Sequence, residues 1–205
     1  RMLFVACLGF TAAPASSVPL VDFGSSDPKL AHKWRAMNDP VMGGKSFSSV
    51  SVGHGLLNFT GACKIVPSLQ APGFITAVNS DRAAWSDVSH CEGLAITAKA
   101  ATGYAGYRLS FGTAHPKGGK FFAYGFKSHF SPTVGSFGTV KVPFTNFTDF
   151  WDDATGLPIH TCQEDRQYCP DAQTLSDVKT LSIWAEGVEG DVHLEVKSID
   201  GYDCK

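Results

Sequence analysis

Phe47-Ser48-Ser49-Val50-Ser51-Val52-Gly53-His54-Gly55-Leu56-Leu57-Asn58-Phe59-Thr60 decides the fold class. Apolar and polar residues alternate on both sides of Gly53-His54-Gly55. A period of two places alternate side chains on opposite faces of a strand, and a short Gly-containing break between two such runs marks a β-hairpin. The same period recurs over Gly73–Val78, Leu94–Ala98, Tyr104–Phe111, Lys120–Phe126, Thr139–Pro143, Thr180–Trp184 and Asp191–Ile199. Gly, Pro, Asn and Ser punctuate these runs at the intervals of a β-sandwich. No stretch sustains a helical period. Parallel strands need long crossovers, so an antiparallel sheet is predicted. One short helix is expected at Asp27-Pro28-Lys29-Leu30-Ala31-His32-Lys33-Trp34, with Asp27 as N-cap and Pro28 at the first helical position. Another short turn is expected near Asp177.

Upstream of the hairpin lies Trp34-Arg35-Ala36-Met37-Asn38-Asp39-Pro40-Val41-Met42-Gly43-Gly44-Lys45-Ser46. Its Gly and Pro content argues against a helix and its irregularity against a strand, so it reads as a long loop. Asn38-Asp39-Pro40 initiates a turn, and Gly43-Gly44 permits positive φ or a close backbone approach. Trp34 and Met42 are expected to pack on the sandwich. Asn38, Asp39 and Lys45 are candidates to face a partner.

This stretch closely resembles the opening motif of the CIA30 family, the complex I intermediate-associated protein 30 domain. The resemblance continues through Leu57-Asn58-Phe59-Thr60-Gly61, Pro72-Gly73-Phe74-Ile75, Glu92-Gly93-Leu94-Ala95-Ile96, Val142-Pro143-Phe144-Thr145-Asn146-Phe147 and Val192–Ile199, roughly residues 20–202. Pro40 and Pro72 stand where the family usually has Gly, and a Cys-bearing stretch around residues 152–172 looks like an insertion. The resemblance implies an antiparallel jelly-roll β-sandwich of the galactose-binding type. It also implies a non-catalytic role beside a large membrane redox complex.

Composition fits one sandwich domain over residues 20–205, with 15 Phe, 5 Tyr and 4 Trp to fill its core. Only 18% of residues are charged and the net charge is −2. Lys and Arg are scattered singly, without the basic face that nucleic-acid binding requires.

Residues 1–19 form a separate apolar segment. Met2–Phe10 followed by Ala13-Pro14-Ala15 has the shape of a signal h-region with its cleavage site. The run is too short to span a bilayer, for which about 20 apolar residues are needed. It reads either as an export signal or as a docking arm whose Leu3, Phe4, Val5, Leu8 and Phe10 bury themselves on a partner.

The six cysteines are Cys7, Cys63, Cys91, Cys162, Cys169 and Cys204. Cys162 and Cys169 are close together among polar residues, the pattern of a surface disulfide clip, which points to an oxidising compartment. Cys63 and Cys91 follow apolar strands and are candidates for buried thiols, while six Cys allow 15 pairings and the pairing of Cys7, Cys63, Cys91 and Cys204 stays open. His160-x-Cys162 with Cys169, Glu164 and Asp165 is the nearest approach to a metal set, and the clip is preferred. The seven His form no recognised ligand spacing, so no metal or cofactor is expected. Gly43-Gly44-Lys45-Ser46 superficially resembles a P-loop ending but lacks the upstream Gly and the following helix. The pairs Asp152-Asp153 and Glu164-Asp165 read as solvated loop charges. Asn58 and Asn146 head glycosylation sequons inside strand motifs, which reads as coincidence.

No catalytic constellation stands out, and a non-enzyme is expected. The favoured expectation is a peripheral luminal subunit of a photosystem in the thylakoid. The alternatives are a respiratory complex I assembly factor in the mitochondrion and a carbohydrate-binding module. The last would use Trp85, Trp151 or Tyr104 as stacking surfaces for a sugar.

Overall fold

The computed structural model describes residues 16–39, 43–69, 73–120 and 122–205. The expected docking arm and Met42 lie outside the described residues.

The hairpin forms where the alternation predicts it. β3 (Phe47–Gly53) pairs antiparallel with β4 (Leu56–Cys63), and Gly53 sits opposite Leu56. The two turn residues have φ of 54° at His54 and 75° at Gly55. Positive φ at both positions matches the right-handed twist of the flanking strands.

Two sheets pack face to face. The larger runs β10 (Gly138–Pro143), β6 (Gly93–Ala100), β12 (Gly190–Cys204), β4, β3. β1 (Ser16–Asp22) also pairs with β12, and the two-residue β9 (Thr133–Val134) pairs with β6. The smaller sheet runs β2 (Trp34–Asn38), β5 (Phe74–Asn79), β11 (Leu181–Glu186), β7 (Tyr107–Phe111), β8 (Phe126–His129). Every pairing is antiparallel except the short β6–β9 contact.

β12 organises the large sheet. Its first half pairs with β4 and its second half with β1, so these two strands follow one another along the same edge. A bulge between Val196 and Ser198 shifts the register against β6. An extra residue reverses which parity faces inward. Accordingly Val192, Leu194 and Val196 are buried before it and Ile199 after it. The core fills from both inner faces, with Leu57, Phe59, Ile75, Ile96, Tyr107, Leu109, Phe111, Leu181 and Ile183 all but inaccessible.

Several expectations need correction. Trp34–Asn38 is a strand, not loop: it pairs with β5 from Trp34–Asn79 to Asn38–Ile75. Turn-forming residues downstream obscure its short run. Of the expected strand Lys120–Phe126, residues 122–125 are turn and loop; the pairing begins only at Phe126, after Gly125 turns the chain at φ 78°. The final strand extends to Cys204 because β1 and β6 both continue alongside it. Since β1 begins at Ser16, residues 16–19 belong to the sheet rather than to the apolar segment. The short helix α1 (Pro28–Ala31) forms with Asp27 capping Lys29 N, and α2 (Ala172–Ser176) ends just before Asp177.

The Cys162–Cys169 disulfide is present. Cys91 is not a thiol: it is bonded to Cys204, across 113 residues of sequence. Its position one turn before β6, beside the end of β12, brings the two together. Cys63 is buried and unpaired, and burial pushes its thiol pKa up.

Candidate functional site

The Asp39 motif is a buried knot. Asp39 directly follows β2, and its carboxylate turns inward rather than toward solvent. It accepts hydrogen bonds from Ser46 N (2.9 Å), Ser46 Oγ (2.5 Å) and Phe74 N (3.2 Å). Ser46 Oγ in turn accepts from Lys64 N at 3.0 Å. One carboxylate and one hydroxyl thus join the end of β2, the entry to β3, the exit from β4 and the entry to β5. This links the two sheets at one end of the sandwich. A carboxylate satisfied by several donors tolerates burial that an unpaired one does not.

The glycines make room for this knot. A Cβ on Gly44 would lie 2.1 Å from Asp39 Cγ, and one on Gly73 would lie 2.2 Å from Asp39 Oδ2. Gly43 turns the chain at φ 85°, as Gly at this position allows. The other motif residues also act locally. Trp34 is half-buried, donates from Nε1 to the carbonyl of Ala31 (3.0 Å) and meets Phe23 edge-on. The Asn38 amide donates to the carbonyl of Met37 (3.0 Å) and accepts from Ser48 N (3.1 Å). Among the described residues of this stretch, Arg35, Gly43 and Lys45 are exposed. Asp39 and Asn38 are therefore spent inside the fold, contrary to the expectation that they face a partner.

A second cluster occupies the outer face of the smaller sheet. Alternation sends Leu181, Ile183, Leu109 and Phe111 into the core, so Trp184, Glu186, Arg108 and Lys127 point the other way. Trp184 lies opposite Arg108, and Ser110 opposite Lys127. This face is not open to solvent. The chain from Trp151 to Pro158 folds over it, and Trp151 donates from Nε1 to the carbonyl of Gly125 (3.0 Å).

Lys127 is caged there. Its Nζ donates to Glu186 Oε1 at 2.8 Å and sits 3.3 Å and 3.8 Å from the ring centroids of Trp151 and Trp184. Two indole faces and a carboxylate replace water around the ammonium. Burial pushes its pKa down to about 8, against the opposing pull of Glu186. Arg108 approaches the same carboxylate, with Nε 3.7 Å from Oε1, and donates from Nη1 to the Glu186 carbonyl at 3.2 Å. Beside this cluster lies a cavity of about 390 Å³ walled by Arg108, Lys127, His129, Asn146, Trp151 and Leu157.

Of the three expected sugar surfaces, Trp151 is taken up inside the fold, and Trp85 and Tyr104 are half-buried with local partners. Trp151, on the covering segment itself, is buried and occupied by Lys127. Trp85 stacks on His32 at 3.9 Å, which itself bonds Asp81. Tyr104 meets Tyr107 edge-on and donates to the carbonyl of Val188 at 2.8 Å. The paired loop carboxylates are turn formers: Asp152 Oδ1 accepts from Ala154 N and Thr155 N, and Glu164 accepts from Thr161 N. Among the described residues no group of three or more His, Cys, Asp or Glu is placed to hold a metal ion. No described helix is long and apolar enough to cross a membrane.

Sequence reasoning missed Lys127, Glu186 and Arg108. The available signal was a single charge inside each of three apolar runs, at Tyr107–Phe111, Phe126–His129 and Leu181–Glu186. Nothing in the linear order shows that these charges meet.

Comparison with known proteins places this geometry in context. A family model described as complex I intermediate-associated protein 30 (CIA30) matches residues 21–196. A search of curated proteins gave no match. Among solved structures, a family 11 carbohydrate-binding module from Clostridium thermocellum, solved with a β-1,3-1,4-mixed-linked tetrasaccharide, is similar at TM-score 0.55 and 14% identity. That similarity covers 92% of this chain and 96% of the module. The family 11 module of the cellulase Lic26A-Cel5E from the same organism gives TM-score 0.55 at 13% identity, covering 90% of this chain and 93% of that one. An agarase gives TM-score 0.51 at 13% identity over 90% of this chain, which spans only 24% of that enzyme. At such identities the likeness speaks for the fold alone, the galactose-binding-like jelly roll that the motifs imply.

Proposed function

Because the chain belongs to the CIA30 family, we propose that it is a non-catalytic assembly or accessory protein of a membrane-embedded redox complex, engaging an intermediate of respiratory complex I. The observation that carries this reading is the family match over residues 21–196, with its opening motif built into the Asp39 knot. A rigid sandwich held at that end by buried hydrogen bonds is suited to presenting a fixed surface. The caged Lys127 supports it further, since the indole faces that would stack on a sugar are already occupied.

The surface proposed for the partner surrounds Trp151. Tyr124, Leu157 and Ile159 are exposed on the two segments that meet at this residue. Exposed apolar side chains grouped on one face favour protein contact. The apolar residues Leu3, Phe4, Val5, Leu8 and Phe10 are proposed as a second contact. Two disulfides fit the oxidising side of the mitochondrial inner membrane better than the reducing matrix. A luminal photosystem role draws no support from the family description or the structural neighbours.

Native-gel separation of solubilised mitochondrial membranes tests the proposal. The tagged chain should co-migrate with complex I intermediates, and a Tyr124→Glu, Ile159→Glu double variant with unchanged melting should be released from them. Migration of the wild-type chain alone, near its own 21.9 kDa, would overturn it.

A further inference from the structure

The cavity beside Lys127 is electrostatically unbalanced. Two cations, Arg108 and Lys127, border it, and Glu186 is the only described carboxylate bonded to either of them. Lys127 has no capacity left, being satisfied by Glu186 and the two indoles. Arg108 does. Its Nη1 donates to the carbonyls of Gly106 and Glu186, and its Nε faces Glu186. Its Nη2 donates no hydrogen bond to a described residue. Asn146 gives its Oδ1 to Gln163 Nε2 at 3.0 Å, which leaves its own amide hydrogens for the cavity. The wall therefore offers donors and one surplus positive charge in a partly desolvated space. Coulomb attraction is strengthened there relative to water.

A volume of about 390 Å³ suits a small molecule and excludes a folded partner. A neutral sugar finds no stacking face here, because Lys127 holds both rings. We infer that this cavity binds a small oxyanion, a carboxylate or phosphate group carried on a body no larger than a sugar ring. Arg108 Nη2 and Asn146 Nδ2 donate to its oxygens, and Leu157 covers its apolar side. This site shares Trp151 and Leu157 with the partner surface proposed above, but binding of a small anion needs no membrane complex and is measured without one.

The test is a titration of the full chain with sodium glucuronate, inorganic phosphate and glucose at constant ionic strength. Intrinsic tryptophan fluorescence is followed, because Trp151 and Trp184 adjoin the cluster, and calorimetry runs in parallel. At least one anion should saturate below about 10 mM, while glucose has no effect. Tighter binding of glucuronate assigns the natural ligand to carboxylates, and tighter binding of phosphate assigns it to phosphates. Leu157→Glu, on an exposed side chain, should weaken binding by about tenfold or more through charge repulsion at the wall without changing the melting temperature. Asn146→Ala should weaken it several-fold. The inference is overturned if neither anion saturates, if glucose binds equally well, or if Leu157→Glu leaves the affinity unchanged.

Discussion

Lys127 Nζ lies 2.8 Å from Glu186 Oε1 with a tryptophan ring on either side, and both side chains are almost wholly buried. Removing one partner of such a pair strands the other charge, at a cost of about 3–5 kcal/mol. Glu186→Gln should show this loss in full, because it leaves both Lys127 and Arg108 uncompensated. The Lys127→Met, Glu186→Gln double variant should lose less than the sum of the single losses. Urea denaturation of the four proteins measures the coupling, and simple additivity would contradict the cage.

The same lysine gives a pH signature. Its folded pKa of about 8 lies below the ordinary lysine value, so between about pH 8 and 10 the unfolded chain holds a proton that the folded chain lacks. Stability from this group therefore rises with pH through that window and is lost as pH falls through 8. The melting temperature of the wild type relative to Lys127→Met should increase from pH 7.5 to pH 9.5. A decrease would show that Lys127 is not desolvated as described.

Asp149 has the opposite pH behaviour. It is buried, its Oδ1 has no hydrogen-bond partner among the described residues, and burial raises its pKa to about 6. The folded state then binds a proton between about pH 4 and 6 that the unfolded state has released. Its contribution is present at low pH and is lost as pH rises through 6. Asp149→Asn should raise the melting temperature at pH 7.5 and have little effect at pH 4. Equal effects at both pH values would count against a strained carboxylate.

At the Asp39 knot, Asp39→Ala leaves Ser46 N and Phe74 N without their acceptor, while Ser46 Oγ keeps the carbonyl of Lys64. Each unsatisfied buried donor costs about 1–3 kcal/mol, so a loss of at least about 2 kcal/mol is expected. Gly44→Ala should destabilise by a comparable amount, because its methyl group would fall on the Asp39 carboxylate. If Asp39→Ala instead abolishes partner co-migration at unchanged stability, the knot is a contact site rather than a structural one.

The two disulfides should differ in weight. Cys91–Cys204 closes a loop with a sequence separation of 113, and Cys162–Cys169 one of 7. On the chain-entropy account, losing the longer closure costs about 2 kcal/mol more. Comparing Cys91→Ser with Cys169→Ser by denaturation measures this. Alkylation without reductant should leave these four cysteines unlabelled.

The all-β class, the His54-Gly55 hairpin and the Asp27 cap were legible in the sequence because each depends on residues within a few positions of one another. The Cys162–Cys169 clip was legible for the same reason. β2 was not, since a five-residue edge strand carries little periodicity of its own and is defined by backbone bonds to β5. Cys91–Cys204 was not, because only the antiparallel pairing of β6 with β12 brings position 91 to the chain's end.

The sequence alone determined the strand period, the turn chemistry and the family, all carried by local order along the chain. Tertiary structure decided which way each charge points. Asp39, a candidate to face a partner, is a buried tie between sheets, while Lys127, Arg108 and Glu186 give no sign of one another in the linear order. Their meeting depends on strand register across β7, β8 and β11 and on a loop folded over that face. Register is set by pairing between distant segments, so no stretch of sequence read by itself contains it.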